Sequence, residues 1–213
     1  MKRIRKSFIV SICLLTAFAL WTVAVCFVDV QAIGPRGSSV GLAGINGFVH
    51  SLTGVHFDLY NITDWLGLVP VFVCMGFAVL GLVQWIKRKS ISKVDYDILV
   101  LGGFYIVTIA AYLFFESVVI NYRPILIGEI LEASYPSSTT LLVMCVMPTA
   151  IMQLGSRIKN KVLRNIIAVT IIAFITFMVI GRLISGVHWL TDIVGGTLLS
   201  AGLVMLYRAI IGL

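Results

Sequence analysis

Six apolar runs divide this chain and decide what it can fold into. They lie at about residues 8–28, 65–86, 98–120, 139–154, 166–184 and 189–213. A helix needs ~20 apolar residues to cross the hydrocarbon of a bilayer. Inside that hydrocarbon every backbone N–H and C=O must be satisfied by the chain itself, and for segments of this kind the helix is the solution. The expected fold is all-α: one domain over residues 1–213, an integral membrane bundle of six transmembrane helices. Only 12% of the residues are charged and 60% are hydrophobic, whereas a soluble domain carries about 25% charged residues. The first run is longer than the ~7–15 residues of a signal-peptide core. Val30-Gln31-Ala32 resembles a cleavage site, but the length favours a retained helix. Between the first two runs, residues 45–59 read as a short interfacial helix carrying His50, His56 and Asp58. Cys13, Cys26, Cys74 and Cys145 all fall inside apolar runs without ligand spacing, so they read as packing residues and not as disulfides or metal ligands.

The basic residues orient the bundle. The net charge of +7 invites a nucleic-acid reading, but its distribution argues against one. With the N-terminus in the cytoplasm, four basic residues precede the first run, four follow the second, four follow the fourth, and Arg208 closes the sixth. Thirteen of the sixteen therefore lie inside, and only Arg36, Arg123 and Arg182 lie outside. An excess of Lys and Arg marks cytoplasmic loops, so the charge is an orientation signal and no nucleic-acid partner is expected. Both termini are expected in the cytoplasm of what is read as a bacterial inner membrane.

The same topology collects three polar islands at the extracytoplasmic side: Glu116 to Pro124, Tyr135 to Thr140, and Arg182 to Asp192. The third is the most informative. Ionisable groups are costly at membrane depth and default to a functional reading. His188 and Asp192 are four apart, so on a helix they share a face, and Arg182 lies a short way upstream. An imidazole oriented by a carboxylate and facing a guanidinium suits phosphate chemistry. The carboxylate fixes the tautomer, the ring attacks or shuttles protons, and the guanidinium forks onto phosphate oxygens. The alternative is a structural ion-pair knot stapling two helices. For Arg123 the alternative is an interfacial snorkelling residue. For Ser137 it is a helix N-cap, which is also where an anion would bind.

Arg182-x5-His188-x3-Asp192 resembles the third signature, Ser-Arg-x5-His-x3-Asp, of the type 2 phosphatidic acid phosphatase family of membrane lipid phosphatases. Arg123-Pro124 is similar to the end of its first signature, Lys-x6-Arg-Pro. Pro136-Ser137-Ser138-Thr139 is similar to the second, Pro-Ser-Gly-His. The resemblance implies a phosphohistidine on His188, oriented by Asp192. It also implies phosphoryl oxygens held by Arg123, Arg182, Ser137 and Ser138, and a scheme that uses neither metal nor cofactor. The implied substrate is a lipid phosphate or diphosphate, such as a polyprenyl diphosphate, drawn from the bilayer.

Three positions depart from the pattern: Glu116 stands for the lysine, Thr139 for the second-signature histidine, and Gly181 for the leading serine. A threonine hydroxyl cannot act as an imidazolium acid at neutral pH. Three reconciliations stand open. A diphosphate substrate expels a leaving group that needs no acid; Glu116 is itself the acid; or Glu116 pairs with Arg123 or with a cationic head group. The last would make the protein a phosphodiester head-group transferase or hydrolase. Either loop histidine, His50 or His56, is a further candidate for the missing acid. A non-catalytic relative that binds anionic lipid is the remaining alternative.

Overall fold

The computed structural model describes residues 2–213. Its helices are α1 (Lys2–Phe27), α2 (Ala43–Thr53), α3 (Phe57–Leu66), α4 (Leu68–Arg88), α5 (Tyr96–Ser117), α6 (Ser138–Arg157), α7 (Lys161–Ile184) and α8 (Leu190–Ile210). Six segments are long and apolar enough to cross a membrane: α1, the nearly continuous α3–α4, α5, α6, α7 and α8. The protein is therefore the integral six-helix membrane bundle that its apolar runs imply.

Burial separates the six. Half of the most apolar stretch of α6 and α8 is buried, 50% and 56%, against 11–22% in the other four. These two form the centre, and the others present apolar faces outward. Small residues let the central helices approach closely, as close packing in a bilayer requires. Ser200 Oγ on α8 donates to Leu141 O on α6 at 3.3 Å, and Ser11 Oγ on α1 donates to Gly202 O at 2.8 Å. One buried apolar cluster joins α5, α6 and α8 through Leu101, Phe104, Leu141, Cys145, Leu203 and Tyr207. A second joins α6 and α7 through Val143, Val146, Met147, Ile171 and Met178.

The two ends of the bundle differ chemically. At one end, Arg88 pairs with Asp95 at 2.8 Å and Arg157 pairs with Asp97 at 2.9 Å, tying the basic connections together. At the other end, the C-terminal third of α1 reaches the polar islands. Trp21 Nε1 donates to Thr191 O at 3.1 Å, and the Thr22 and Tyr135 hydroxyls are 2.7 Å apart.

Two local expectations are corrected. The helix expected over residues 45–59 is split into α2 and α3. Gly54 takes φ +65°, a conformation that glycine adopts without a Cβ penalty, and the His56 N–H is drawn to Ser185 O at 3.0 Å. The third span ends at Ser117, short of residue 120. Beyond it, residues 121–134 fold back as a hairpin of isolated bridges, Tyr122 with Ala133 and Ile127 with Ile130. The turn residues Gly128 and Glu129 have φ +59° and +67°, the double positive φ of a type I′ hairpin turn.

Candidate functional site

The hinge between α7 and α8 places His188. Ser185 caps α7, its N–H bonding Gly181 O at 2.8 Å and its hydroxyl bonding Arg182 O at 2.8 Å. Gly186 follows at φ +67°, and a Cβ there would stand 1.8 Å from Gly54 O. The α2–α3 corner thus presses directly on the hinge. Trp189 Nε1 donates to Tyr122 O at 2.8 Å and ties the hinge to the hairpin.

His188 lies in the hinge and not on a helix, so its contact with Asp192 has a different origin from helical spacing. Asp192 sits in the first turn of α8 and folds back over the helix N-terminus. Its Oδ2 accepts the Trp189 N–H at 2.9 Å and stands 3.5 Å from His188 Nδ1. A carboxylate is stabilised at that end of a helix. The other ring nitrogen, Nε2, lies 3.3 Å from Arg123 NH1. A guanidinium has donors only, so this contact requires the lone pair on Nε2 and puts the proton on Nδ1, facing the carboxylate. Burial pushes the His188 pKa well below the usual histidine range, and the positive charges of Arg123 and Arg182 push it the same way.

Arg123 comes from the hairpin. Its N–H bonds Glu132 O at 3.0 Å across the ladder, and its Nε lies 2.9 Å from Glu132 Oε2. That contact is close as an ion pair but misaligned as a hydrogen bond. The pairing of Arg123 with Glu116 that stood as one alternative does not form; a spacing of seven residues would put both on one face of a continuous helix. That spacing assumed a helix continuing past residue 117, and the hairpin brings Glu132 opposite Arg123 instead. Arg182 is 1% exposed. It is cradled by Asp64 at 3.5 Å, by Thr63 Oγ1 at 3.4 Å and by the Tyr60 ring, 5.0 Å from its Cζ.

Ser137 is fully buried at the N-terminus of α6. Its Oγ accepts the Thr140 N–H at 3.4 Å, and its own N–H bonds Asp192 O at 3.0 Å, so α6 and α8 meet end to end. Gly196 permits this: a Cβ there would stand 3.2 Å from Ser137 O. His50 approaches the hinge through Gly186 O at 3.2 Å, and His56 bonds Thr53 O at 2.9 Å. Neither bonds His188.

Beside Arg123 opens a polar chamber of about 330 Å³, lined among others by Tyr112, Glu116, Glu132, Ser134 and Ser138. A larger, mainly apolar groove of about 600 Å³ runs between α4, α5 and α6 and shares Tyr112, Ser138 and Leu141 with the chamber. Thr139 lines the groove and not the chamber. Among the described residues, no group of three or more His, Cys, Asp or Glu side chains is arranged to hold a metal. Buried polar atoms in proteins are nearly always satisfied. Here His188 Nδ1, Asp192 Oδ1, Arg123 Nε and Arg182 Nε are four of only six buried side-chain polar atoms without a hydrogen bond among the described residues. They cluster on the four residues of this site.

Three residues escaped the sequence reading: Glu132, which partners Arg123, and Thr63 and Asp64, which hold Arg182. The Gly128-Glu129 turn between two isoleucines was a readable hairpin signal for the first. Nothing local marked the other two.

The sequence model of the PAP2 superfamily matches residues 104–212, a stretch that contains all three polar islands. Among solved structures, this chain is similar to the crystal structure of a transmembrane PAP2-type phosphatidylglycerolphosphate phosphatase from Bacillus subtilis. The likeness covers 94% of this chain and 95% of that one, with TM-score 0.62 and 17% identity, and at that identity it is a likeness of fold. No curated protein matches.

Proposed function

Since the chain belongs to the PAP2 superfamily, we propose that it is a membrane lipid phosphatase that passes a phosphoryl group from a lipid phosphate or diphosphate to His188 and then to water. The observation that carries this reading is the cluster of unsatisfied buried polar atoms on His188, Asp192, Arg123 and Arg182. Of these, the two guanidinium Nε–H groups are donors that suit an anion rich in oxygens, while the His188 Nδ1 proton faces Asp192 and Asp192 Oδ1 is an acceptor.

The Nε2 lone pair of His188 attacks phosphorus, and the bond from phosphorus to the lipid oxygen breaks. Arg123 and Arg182 hold the phosphoryl oxygens. Ser137 uses its oxygen as a cap and keeps its own proton to donate to the substrate. Asp192 holds the Nδ1 proton and offsets the positive charge that builds on the ring; its 3.5 Å separation is of the kind that tightens when substrate binds. Water then attacks the phosphohistidine, the P–N bond breaks and phosphate departs. Phosphoryl transfer relies mainly on positioning and charge stabilisation, which this residue set supplies without further groups. Thr139, turned into the groove, gives no proton to the leaving group. A diphosphate substrate needs none, because its leaving group is itself a phosphate; for a monoester the titratable carboxyls at hand are Glu116 and Glu132 in the chamber.

The groove supports a lipid as substrate: it is apolar, opens between helices and joins the chamber at Tyr112, Ser138 and Leu141. The basic connections at the opposite end support a cytoplasmic placement for that end in a bacterial inner membrane, with the site facing outward. Purified protein in detergent, given a panel of lipid phosphates and diphosphates, is expected to release inorganic phosphate. His188→Ala should lower turnover by roughly a thousandfold or more. Lipid binding without phosphate release in the wild-type protein would sink the enzyme reading and leave an anionic-lipid binder.

A further inference from the structure

The chamber holds more negative charge than a pure phosphate site would. Arg123, Glu116 and Glu132 all line it. Glu132 is engaged by Arg123 at 2.9 Å, and among the described residues no cation pairs with Glu116. Glu116 is exposed on α5, so one carboxylate without a cation partner stands at the open side of a space that, on the reading above, admits a phosphate.

Its position narrows the meaning. Glu116 follows Tyr112 by four residues on α5, so the two share a helix face. Tyr112 is one of three residues common to the chamber and the apolar groove. Glu116 thus stands one turn beyond the point where a tail in the groove would give way to a head group in the chamber. His188 and Arg123 meet at the phosphate end, 3.3 Å apart. The His188 side chain is 1% exposed, and its Nδ1 has no hydrogen-bond partner among the described residues.

A bare dianionic lipid phosphate would meet Glu116 as a repulsion. A lipid bearing an ammonium group next to its phosphate ester would meet it as a partner, with the phosphate on Arg123 and His188 and the ammonium on the carboxylate. Tyr112 adds a ring face of the kind that attracts cations. We propose that Glu116 is a specificity-determining residue that selects lipids whose ammonium group lies about two carbons from a phosphate ester oxygen. Because Glu116 follows Tyr112, a residue common to groove and chamber, a tail in the groove favours the phosphomonoester of a long-chain amino alcohol, in which the amine sits between tail and phosphate. This rests on the assignment of the phosphate end to His188 and Arg123.

Binding tests the proposal without requiring turnover. Full-length wild-type protein in nanodiscs is titrated with a non-hydrolysable phosphonate analogue of a long-chain amino-alcohol phosphate and with its N-acetylated form, which lacks only the charge. The amine should bind roughly twofold to fivefold more tightly, the size of an exposed ion pair. Glu116→Gln should bring the two ligands to parity, and Glu116→Asp should restore the preference. An ethanolamine phospholipid and its N-acetylated form make a second pair. A Glu116-dependent preference confined to that pair keeps the shared chemistry and moves the source to phosphodiesters. Equal affinity of the wild type for both members of both pairs overturns the proposal, and so does a preference that survives Glu116→Gln. If that variant does not fold, Glu116→Ser takes its place in the same comparison. Phosphate release from lipids without any ammonium preference refutes this inference and leaves the phosphatase reading standing. An ammonium preference without phosphate release does the reverse.

Discussion

At the scale of single residues, the proposed chemistry depends on a histidine kept neutral, because the proposed attack on phosphorus needs the unprotonated ring. Burial first, then the charges of Arg123 and Arg182, lower the His188 pKa well below its ordinary value, which is ~6.5 in an exposed histidine. The neutral form is therefore already complete at that pH, and activity should be lost only when protonation finally occurs at lower pH. The acid limb of kcat/KM, which reports the free enzyme, is expected to lie clearly below the ordinary histidine value. Arg123→Gln removes one of the two opposing charges and should move that limb upward while also weakening phosphate binding. A pH profile on a soluble short-chain substrate checks both; an acid limb at or above the ordinary value would contradict the neutral-histidine picture. The residues of the hinge could be read in the sequence because each is ionisable in an apolar setting. The partner of Arg123 could not be read from spacing alone. Helical periodicity pointed to Glu116, and only a chain reversal at Gly128-Glu129 makes Glu132 the neighbour.

At the scale of elements, the hinge works because two helix ends and one corner are locked together. Asp192 caps α8 and faces His188 with the same oxygen, so helix geometry and ring orientation are set by one side chain. Gly186 lets the α2–α3 corner press against this hinge, with Gly54 O where a Cβ would need to be. The apolar runs revealed the spanning helices but not this corner. Residues 45–59 carry a continuous helical pattern, and the break at Gly54 is imposed by a tertiary bond from the His56 N–H to Ser185 O. Gly186→Ala combines a clash 1.8 Å from a backbone oxygen with φ +67°. It should cost at least about 2 kcal/mol, from strain of ~1–3 kcal/mol at a disfavoured φ before the clash is counted. Thermal unfolding in detergent measures the loss, and a variant as stable as the wild type would show that the corner yields freely.

At the scale of the whole molecule, the fold separates two chemistries across one bilayer. The central helices α6 and α8 both begin at the site, with the N-terminus of α6 against Asp192 and that of α8 beside His188. Both run toward the end where Arg157 meets Asp97. Two helix N-termini aimed at one place make a positive field that favours an anion there. The Lys and Arg clusters belong to the opposite end. In the proposed orientation the positive-inside rule holds those clusters in the cytoplasm, which would carry the helix N-termini and His188 to the outer leaflet. The orientation is testable without reference to activity. In a protein whose four cysteines are replaced, a single cysteine at Ser51, exposed on α2, lies at the site end; one at Ser92, exposed between α4 and α5, lies at the basic end. A membrane-impermeant maleimide should label Ser51→Cys in intact cells and Ser92→Cys only after permeabilisation. The inverse pattern would place His188 in the cytoplasm, with the basic clusters outside. The lipid would then be drawn from the inner leaflet, phosphate would return to the cell, and charge would have failed as a guide to the side on which this chemistry occurs.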